Sequence, residues 1–136
     1  MFENKQAPLS LLARLLLASL FVIAGIGKVF GFEGTVGYIS SVGLPLPTLG
    51  AVIAILVELG GGLLLAIGFQ SRLVALVMAI FTLVTAFIFH NYWAMPADKV
   101  MVNQIMFLKN LSIAGGLLMV SAFGAGALSL DAKRSS

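Results

Sequence analysis

Ionisable side chains stand inside stretches that are otherwise apolar, and they are the residues best suited to chemistry. Glu58 lies near the middle of one such stretch, while Arg14, Lys28 and Lys109 lie in two others. A charged side chain at the centre of a bilayer costs roughly 2.5–3.5 kcal/mol on insertion scales, so each of these residues needs a partner or a purpose. A buried carboxylate beside cationic groups forms an ion pair, and it can also exchange a proton with a ligand.

The spacing of these residues predicts which of them share a helix face. Arg14 and Lys28 are 14 residues apart, close to four helical turns, so they lie on one face. The next apolar stretch carries a small or acidic residue at every fourth position, namely Gly50, Ala54, Glu58, Gly62 and Ala66. Small residues at this spacing allow close packing of helices in lipid. We therefore expect Glu58 in the bundle interior, facing Arg14, Lys28 or Lys109.

Two interpretations of this cluster remain open from the residues alone. Glu58 paired with Arg14 or a lysine either fixes helix register or forms a proton or ligand site. Lys28 either extends to the interface or belongs to such a site, and His90 is either an interfacial residue or a proton carrier. The candidate site comprises Arg14, Lys28, Glu58, His90, Lys109 and Asn110. The candidate packing residues are Gly25, Gly50, Ala54, Gly62 and Gly116.

The composition requires lipid around these residues. The chain has 136 residues, 60% hydrophobic and 10% charged, with a mean hydropathy of +1.12. Soluble domains carry about 25% charged residues. The chain has no cysteine and one histidine, which excludes thiolate chemistry and iron–sulfur clusters, and we predict no metal site within the chain. The basic residues are scattered singly, so we expect no nucleic-acid partner.

Four apolar segments are long enough to cross a bilayer, at about residues 9–29, 49–69, 73–89 and 105–123. We therefore predict an all-α, polytopic membrane protein, a bundle of four transmembrane helices forming one domain over residues 1–136. The stretch 32–46 has apolar residues at helical spacing but is too polar to cross, which predicts a short interfacial helix between the first two spans. The polar tail Asp131–Ser136 is expected to fray.

Charge counting predicts the topology. With four spans, both termini lie on one side, which carries five Lys and Arg residues, and the opposite side carries three: Lys28, Lys99 and Lys109. The positive-inside rule then places both termini in the cytoplasm.

Several motifs in order resemble the DoxX family of small four-helix bacterial membrane proteins. They are Arg14 followed by GIGK ending at Lys28, the loop VGLPLP over residues 42–47, the run VELGGGLLLAIG over residues 57–68, and the turn QSR over residues 70–72. The motif FLKNL over residues 107–111 fits less tightly. The resemblance covers essentially the whole chain. It implies that the chain lies in the bacterial inner membrane and is associated with quinone-linked redox assemblies, although most members have no established activity.

Three functions compete at this stage. The first is a membrane subunit that binds quinone, in which Glu58 with Lys109 or His90 supplies protons and Lys28 stabilises oxyanion charge. Because the chain lacks side chains that carry electrons, this function requires a redox partner protein. The second is a scaffold without catalytic activity, which recruits partner proteins to the membrane. The third is a small proton-coupled transporter using Glu58. No catalytic residue is assigned, and a homo-oligomer is compatible with the glycine-rich faces.

Overall fold

The computed structural model describes residues 3–136, and in that range the chain is helical with no strand. Its helices are α1 (Gln6–Phe30), α2 (Phe32–Ser41), α3 (Pro47–Ile67), α4 (Ser71–Phe89), α5 (Ala97–Phe123) and α6 (Leu130–Arg134). Within residues 3–136, four helices are long and apolar enough to cross a membrane: α1, α3, α4 and α5. The predicted all-α bundle with one short helix between its first two spans is confirmed.

The exterior of the bundle is apolar, as expected for a surface that faces lipid. Large hydrophobic side chains such as Leu16, Ile23 and Met119 are exposed along the spans. The buried core combines four alanines with four larger side chains: Ala18, Phe21, Leu65, Ala75, Met78, Ala79, Ala114 and Leu117. α4 packs along α5, and α1 packs along α3. Because lipid is as apolar as leucine, close packing through small residues is the main way such helices associate.

The turn between α3 and α4 is held by two residues in the left-handed region. Gly68 has φ of 74° and Gln70 has φ of 49°. A side chain at Gly68 would meet Ser129, since its Cβ would lie 2.4 Å from the serine Cβ. Glycine is therefore required at this position by both conformation and space.

The last spanning helix begins earlier than the sequence predicts. We expected it at about residue 105, whereas α5 begins at Ala97. The connection from α4 is therefore only residues 90–96 and includes a 3₁₀ turn at Tyr92–Ala94. Hydropathy locates the part of a helix that lies in lipid, but the helix itself can extend into water. Pro96 precedes the first turn and Asp98 lies within it, where an acidic side chain interacts favourably with the helix dipole.

The C-terminal segment, residues 124–134, is folded, so the expectation that the tail frays from residue 131 is wrong. It turns back under the bundle and ends in α6, where the Ser129 hydroxyl accepts a hydrogen bond from the Ala132 N–H. The Asp131 N–H donates to the Gly68 carbonyl at 2.9 Å. The Asp131 carboxylate accepts from the N–H groups of Gln70 and Ser71, at 2.7 and 2.8 Å. These contacts join the segment to the start of α4.

Candidate functional site

Glu58 lies in an irregular turn of α3. Residues Leu56–Gly60 form a π-helical turn between two α-helical parts of this span. Such turns insert an extra residue, alter the direction of the side chains that follow, and are frequent at functional sites. The Glu58 side chain is 13% exposed, and its Oε2 lies 2.8 Å from Lys28 Nζ. The contact is an ion pair without the angular alignment of a directed hydrogen bond.

One glycine on each helix, close to the ion pair, allows α1 and α3 to approach. A Cβ on Gly25 would lie 2.7 Å from the Leu59 backbone nitrogen, and a Cβ on Gly62 would lie 2.9 Å from a Val22 methyl group. Both distances are too short for non-bonded carbon. The glycines therefore let the π-helical turn lie against α1 one turn before Lys28, which brings the two charges together.

Four of the five predicted packing residues lie at contacts between helices. Besides Gly25 and Gly62, a Cβ at Gly50 would contact Ile39 of α2 at 3.5 Å, and one at Gly116 would contact Leu17 of α1 at 3.3 Å. Ala54 is buried in α3. Gly50 and Ala54 also line a cavity, so the small-residue face of α3 does not pack along its whole length.

The cavity lies between α1, α2, α3, α4 and α5, and has a volume of about 540 Å³. This volume falls within the range of small-molecule sites, and an apolar lining with a few polar groups is typical of them. Its lining is mainly apolar. The polar residues in the lining are Lys28, Thr35, Tyr38, Glu58, Thr82, Thr85, His90 and Asn110.

Four of the six predicted site residues line the cavity, namely Lys28, Glu58, His90 and Asn110. Lys28 and Glu58 contribute the ion pair. Asn110 donates from Nδ2 to the Thr82 carbonyl at 3.4 Å. His90 lies at the end of α4, and its Nδ1 is 3.0 Å from Asn103 Oδ1. The cavity therefore combines a charged pair, an amide and an imidazole in an apolar enclosure.

Arg14 does not pair with Glu58, which corrects one of the predicted pairings. Arg14 and Lys28 are 14 positions apart, which corresponds to about 21 Å of helix. The two cations therefore lie at opposite ends of α1 although they share its face. Arg14 is 2% exposed. Its guanidinium donates to the backbone carbonyls of Ala66, Ala125 and Leu128. It thereby joins α1 and α3 to the C-terminal segment.

Lys109 is also separate from the cavity. Its side chain is exposed, and Lys28 is the cation beside Glu58. Neighbouring residues on a helix point about 100° apart. Asn110 therefore faces the cavity while Lys109 points away from it.

Sequence reasoning missed two residues of this region. Tyr38 of α2 lines the cavity, and its ring stacks on Phe89 with 5.3 Å between ring centroids. Asn103 holds the His90 ring. Asn103 lies in the segment between the predicted spans at about residues 73–89 and 105–123, so no helix face was predicted for it. Once that segment is helical, Asn103 lies one turn after Lys99, on the helix that follows His90.

Comparison with known proteins agrees with this architecture. The model of the DoxX family matches residues 9–91, more than half of the chain. Inner membrane protein YphA of Escherichia coli is 44% identical over 130 residues, covering 96% of this chain and 93% of the relative. Inner membrane protein YqjF of the same organism is 46% identical over 124 residues, covering 89% and 88% of the two chains.

A more distant similarity links the chain to a protein named for redox chemistry. Putative oxidoreductase CatD of Bacillus subtilis is 35% identical over 79 residues, covering 58% of this chain and 57% of that one. No solved structure matches the chain. With the family match, two long alignments to inner-membrane relatives and four apolar helices, the chain belongs to the DoxX family and is a multi-pass inner-membrane protein.

Proposed function

We propose that this chain is a redox-associated membrane subunit whose cavity binds the head group of a membrane quinone. The observation that carries the proposal is the Lys28–Glu58 ion pair in the wall of an apolar cavity of about 540 Å³. A quinone is uncharged and planar, with oxygens on opposite sides of an apolar ring. An overall neutral pair set in an apolar lining suits such a ligand better than it suits an ion.

The two charged groups would serve complementary roles at the ligand. The Lys28 ammonium donates a hydrogen bond to a ligand oxygen and stabilises negative charge that develops there. The Glu58 carboxylate accepts a hydrogen bond from a hydroxyl, or exchanges a proton with it. Tyr38 and Phe89 supply aromatic surface at the same cavity. These roles need only the residues that line the cavity.

Electron transfer in this proposal belongs to a partner. The chain has no cysteine and a single histidine, so it has no thiolate set and no paired histidines of its own to bind a redox centre. The chain would hold and orient the quinone while a redox partner protein exchanges electrons with it. The name of the Bacillus subtilis relative supports a redox setting for the family.

The proposal is tested by analysing the lipids that stay bound to gently purified protein. Wild type, Glu58→Gln and the matched control Glu33→Gln are compared by mass spectrometry; Glu33 is an exposed acid on α2 that does not line the cavity. We expect near-stoichiometric quinone in wild type and Glu33→Gln. Glu58→Gln should retain at most about a tenth as much quinone, because a hydrogen bond to a charged group contributes about 1.5–3 kcal/mol.

A second variant distinguishes loss of quinone binding from loss of folding. The double variant Lys28→Gln with Glu58→Gln removes both charges and leaves no unpaired ion in the bundle, so it remains folded if Glu58→Gln alone does not. Equal quinone in wild type and in this double variant would contradict the proposal. Absence of quinone from all the proteins would contradict it as well, and would favour a scaffold.

A further inference from the structure

The only histidine of the chain is held in one orientation by Asn103. The Asn103 Nδ2 donates to the Lys99 carbonyl at 2.9 Å, and a carbonyl oxygen accepts only from the nitrogen side of an amide. The amide oxygen of Asn103 therefore faces His90, where Nδ1 lies 3.0 Å away. Since Asn103 Oδ1 is an acceptor, His90 Nδ1 carries the hydrogen.

This arrangement fixes the chemistry of the other ring nitrogen. In a neutral imidazole with its hydrogen on Nδ1, Nε2 has a lone pair and no hydrogen. His90 lines the cavity. It therefore offers a ligand a hydrogen-bond acceptor and no donor.

The remaining polar groups of the cavity are less selective. The ion pair supplies one donor, Lys28, and one acceptor, Glu58. The Tyr38 hydroxyl and the Asn110 amide can each both donate and accept. The Thr35 and Thr85 hydroxyls donate to the carbonyls of Gly31 and Thr82, and rotation about the C–O bond can turn either hydrogen to a ligand instead. These groups can satisfy a ligand that carries either carbonyl or hydroxyl oxygens. His90 differs from these groups because it offers an acceptor with no donor beside it. It therefore distinguishes a ligand hydroxyl from a ligand carbonyl.

We propose that His90, oriented by Asn103, makes the cavity prefer the reduced, dihydroxy form of an aromatic ligand over its oxidised, dicarbonyl form. This inference rests on the proposed function, because it assumes that the cavity holds a quinone-type ring. A ligand hydroxyl donates to Nε2. A carbonyl brings no hydrogen there and covers the half-buried Nε2 acceptor without giving it a partner, which weakens binding of the oxidised form.

The tautomer is measured directly, since one histidine gives one set of signals. The protein is labelled with ¹⁵N-histidine and purified through a tag that contains no histidine. We expect nitrogen shifts of an imidazole with its hydrogen on Nδ1, and a change at Nε2 when tetramethylhydroquinone is added. A ring with its hydrogen on Nε2 would overturn the inference.

The preference is measured as two affinities, for tetramethylhydroquinone under anaerobic conditions and for tetramethylbenzoquinone. We expect wild type to bind the hydroquinone about tenfold more tightly. His90→Gln should bind both forms with similar affinity, because a Gln amide both donates and accepts. Asn103→Leu, which frees the ring to take either tautomer, should reduce the preference. The control Asn91→Gln, next to His90 but outside the cavity lining, should keep it.

The outcomes separate the two proposals. If wild type binds both forms equally, or if His90→Gln keeps the preference, the inference about His90 is overturned while quinone binding stands. If wild type binds neither form, the proposed function fails and this inference fails with it. Asn103→Leu leaves the cavity lining intact, so it provides the test if His90→Gln does not fold.

Discussion

The Lys28–Glu58 pair is the charge arrangement on which the candidate site depends. Its side chains are 30% and 13% exposed, so removing one partner leaves the other charge partly buried in an apolar wall. We expect Lys28→Met and Glu58→Gln each to lower the free energy of unfolding in detergent. The double variant should recover part of the loss, with a coupling energy of about 1–3 kcal/mol.

The control for this coupling is the other lysine that the sequence offered as a partner. Lys109 is exposed and lies outside the cavity lining. Lys109→Met and Glu58→Gln should be additive to within about 0.5 kcal/mol. Strong coupling of Glu58 with Lys109 and none with Lys28 would show that the pairing described above is wrong.

Asp131 gives the attachment of the C-terminal segment a defined dependence on pH. Burial acts to raise the pKa of the Asp131 carboxyl, but hydrogen bonds from Ser71 and from the Gln70 amide, with the charge of Arg134, hold this pKa below its usual value. A pKa lower in the folded than in the unfolded protein means that the ionised carboxylate stabilises the fold. This contribution is present above the ordinary aspartate pKa of about 3.9, and is lost as pH falls through the lowered folded value.

We therefore expect Asp131→Asn to be less stable than wild type at pH 7 and at pH 5 by the same amount. The difference should shrink below about pH 4, where wild type begins to lose its own carboxylate charge. Denaturant unfolding of both proteins at each pH measures it, and Asp98→Asn controls for the removal of an exposed acid. A difference that is constant down to pH 2, or one that widens on acidification, would contradict this account.

Among the elements, α1 and the π-helical turn of α3 fit together only because of glycine. A Cβ at Gly25 would lie 2.7 Å from both the nitrogen and the Cβ of Leu59, whereas a Cβ at Gly27 would meet nothing within 4 Å. We expect Gly25→Ala to cost about 1–3 kcal/mol through overpacking. Gly27→Ala, two residues away on the same helix, should change the unfolding free energy by less than about 0.5 kcal/mol.

The same pair of variants tests whether the π-helical turn positions Glu58. Separating α1 from α3 at Gly25 should also weaken the ion pair and lower the amount of quinone retained, while Gly27→Ala leaves both unchanged. The measurements are denaturant unfolding and mass spectrometry of bound lipid. Equal behaviour of the two variants would indicate that the helices are not in close contact here.

At the scale of the whole molecule, the two ends of the bundle differ in their chemistry. The end that carries Arg14 is closed by the C-terminal segment through hydrogen bonds to main-chain carbonyls. The opposite part carries Lys28, His90 and the cavity. If both termini are cytoplasmic, as the distribution of Lys and Arg predicts, the cavity lies in the half of the bundle towards the periplasm.

This topology can be tested because the chain contains no cysteine. Single cysteines are introduced at Lys99, in the first turn of α5, and at Ser136. Intact cells are then treated with a maleimide that reaches the periplasm but does not cross the inner membrane. We expect Lys99→Cys to be labelled at once and Ser136→Cys only after that membrane is permeabilised. The reverse pattern would place the termini outside.

The sequence by itself determined the membrane-spanning architecture and most of the cavity's charged residues. Four apolar stretches, a small-residue repeat and one mid-span carboxylate were enough to place Glu58 inside a four-helix bundle, because lipid permits few alternatives for such a pattern. The tertiary structure decided the partners. Helical periodicity gives the direction of a side chain around its helix, but the level at which two helices meet depends on their relative shift. Arg14 shares a face with Lys28, yet only Lys28 lies level with Glu58.

The same limit applies to the C-terminal segment, while the start of α5 has a different cause. Residues 124–134 carry no strong periodicity, and their fold depends on distant groups. The Arg14 guanidinium donates to the carbonyls of Ala125 and Leu128, and the N–H groups of Gln70 and Ser71 donate to Asp131. The first turns of α5 lie outside the apolar segment, and hydropathy does not register the part of a helix that extends beyond the lipid. Contacts between parts of the chain that are far apart in sequence exist only once the helices are packed, so they were decided by the tertiary structure alone.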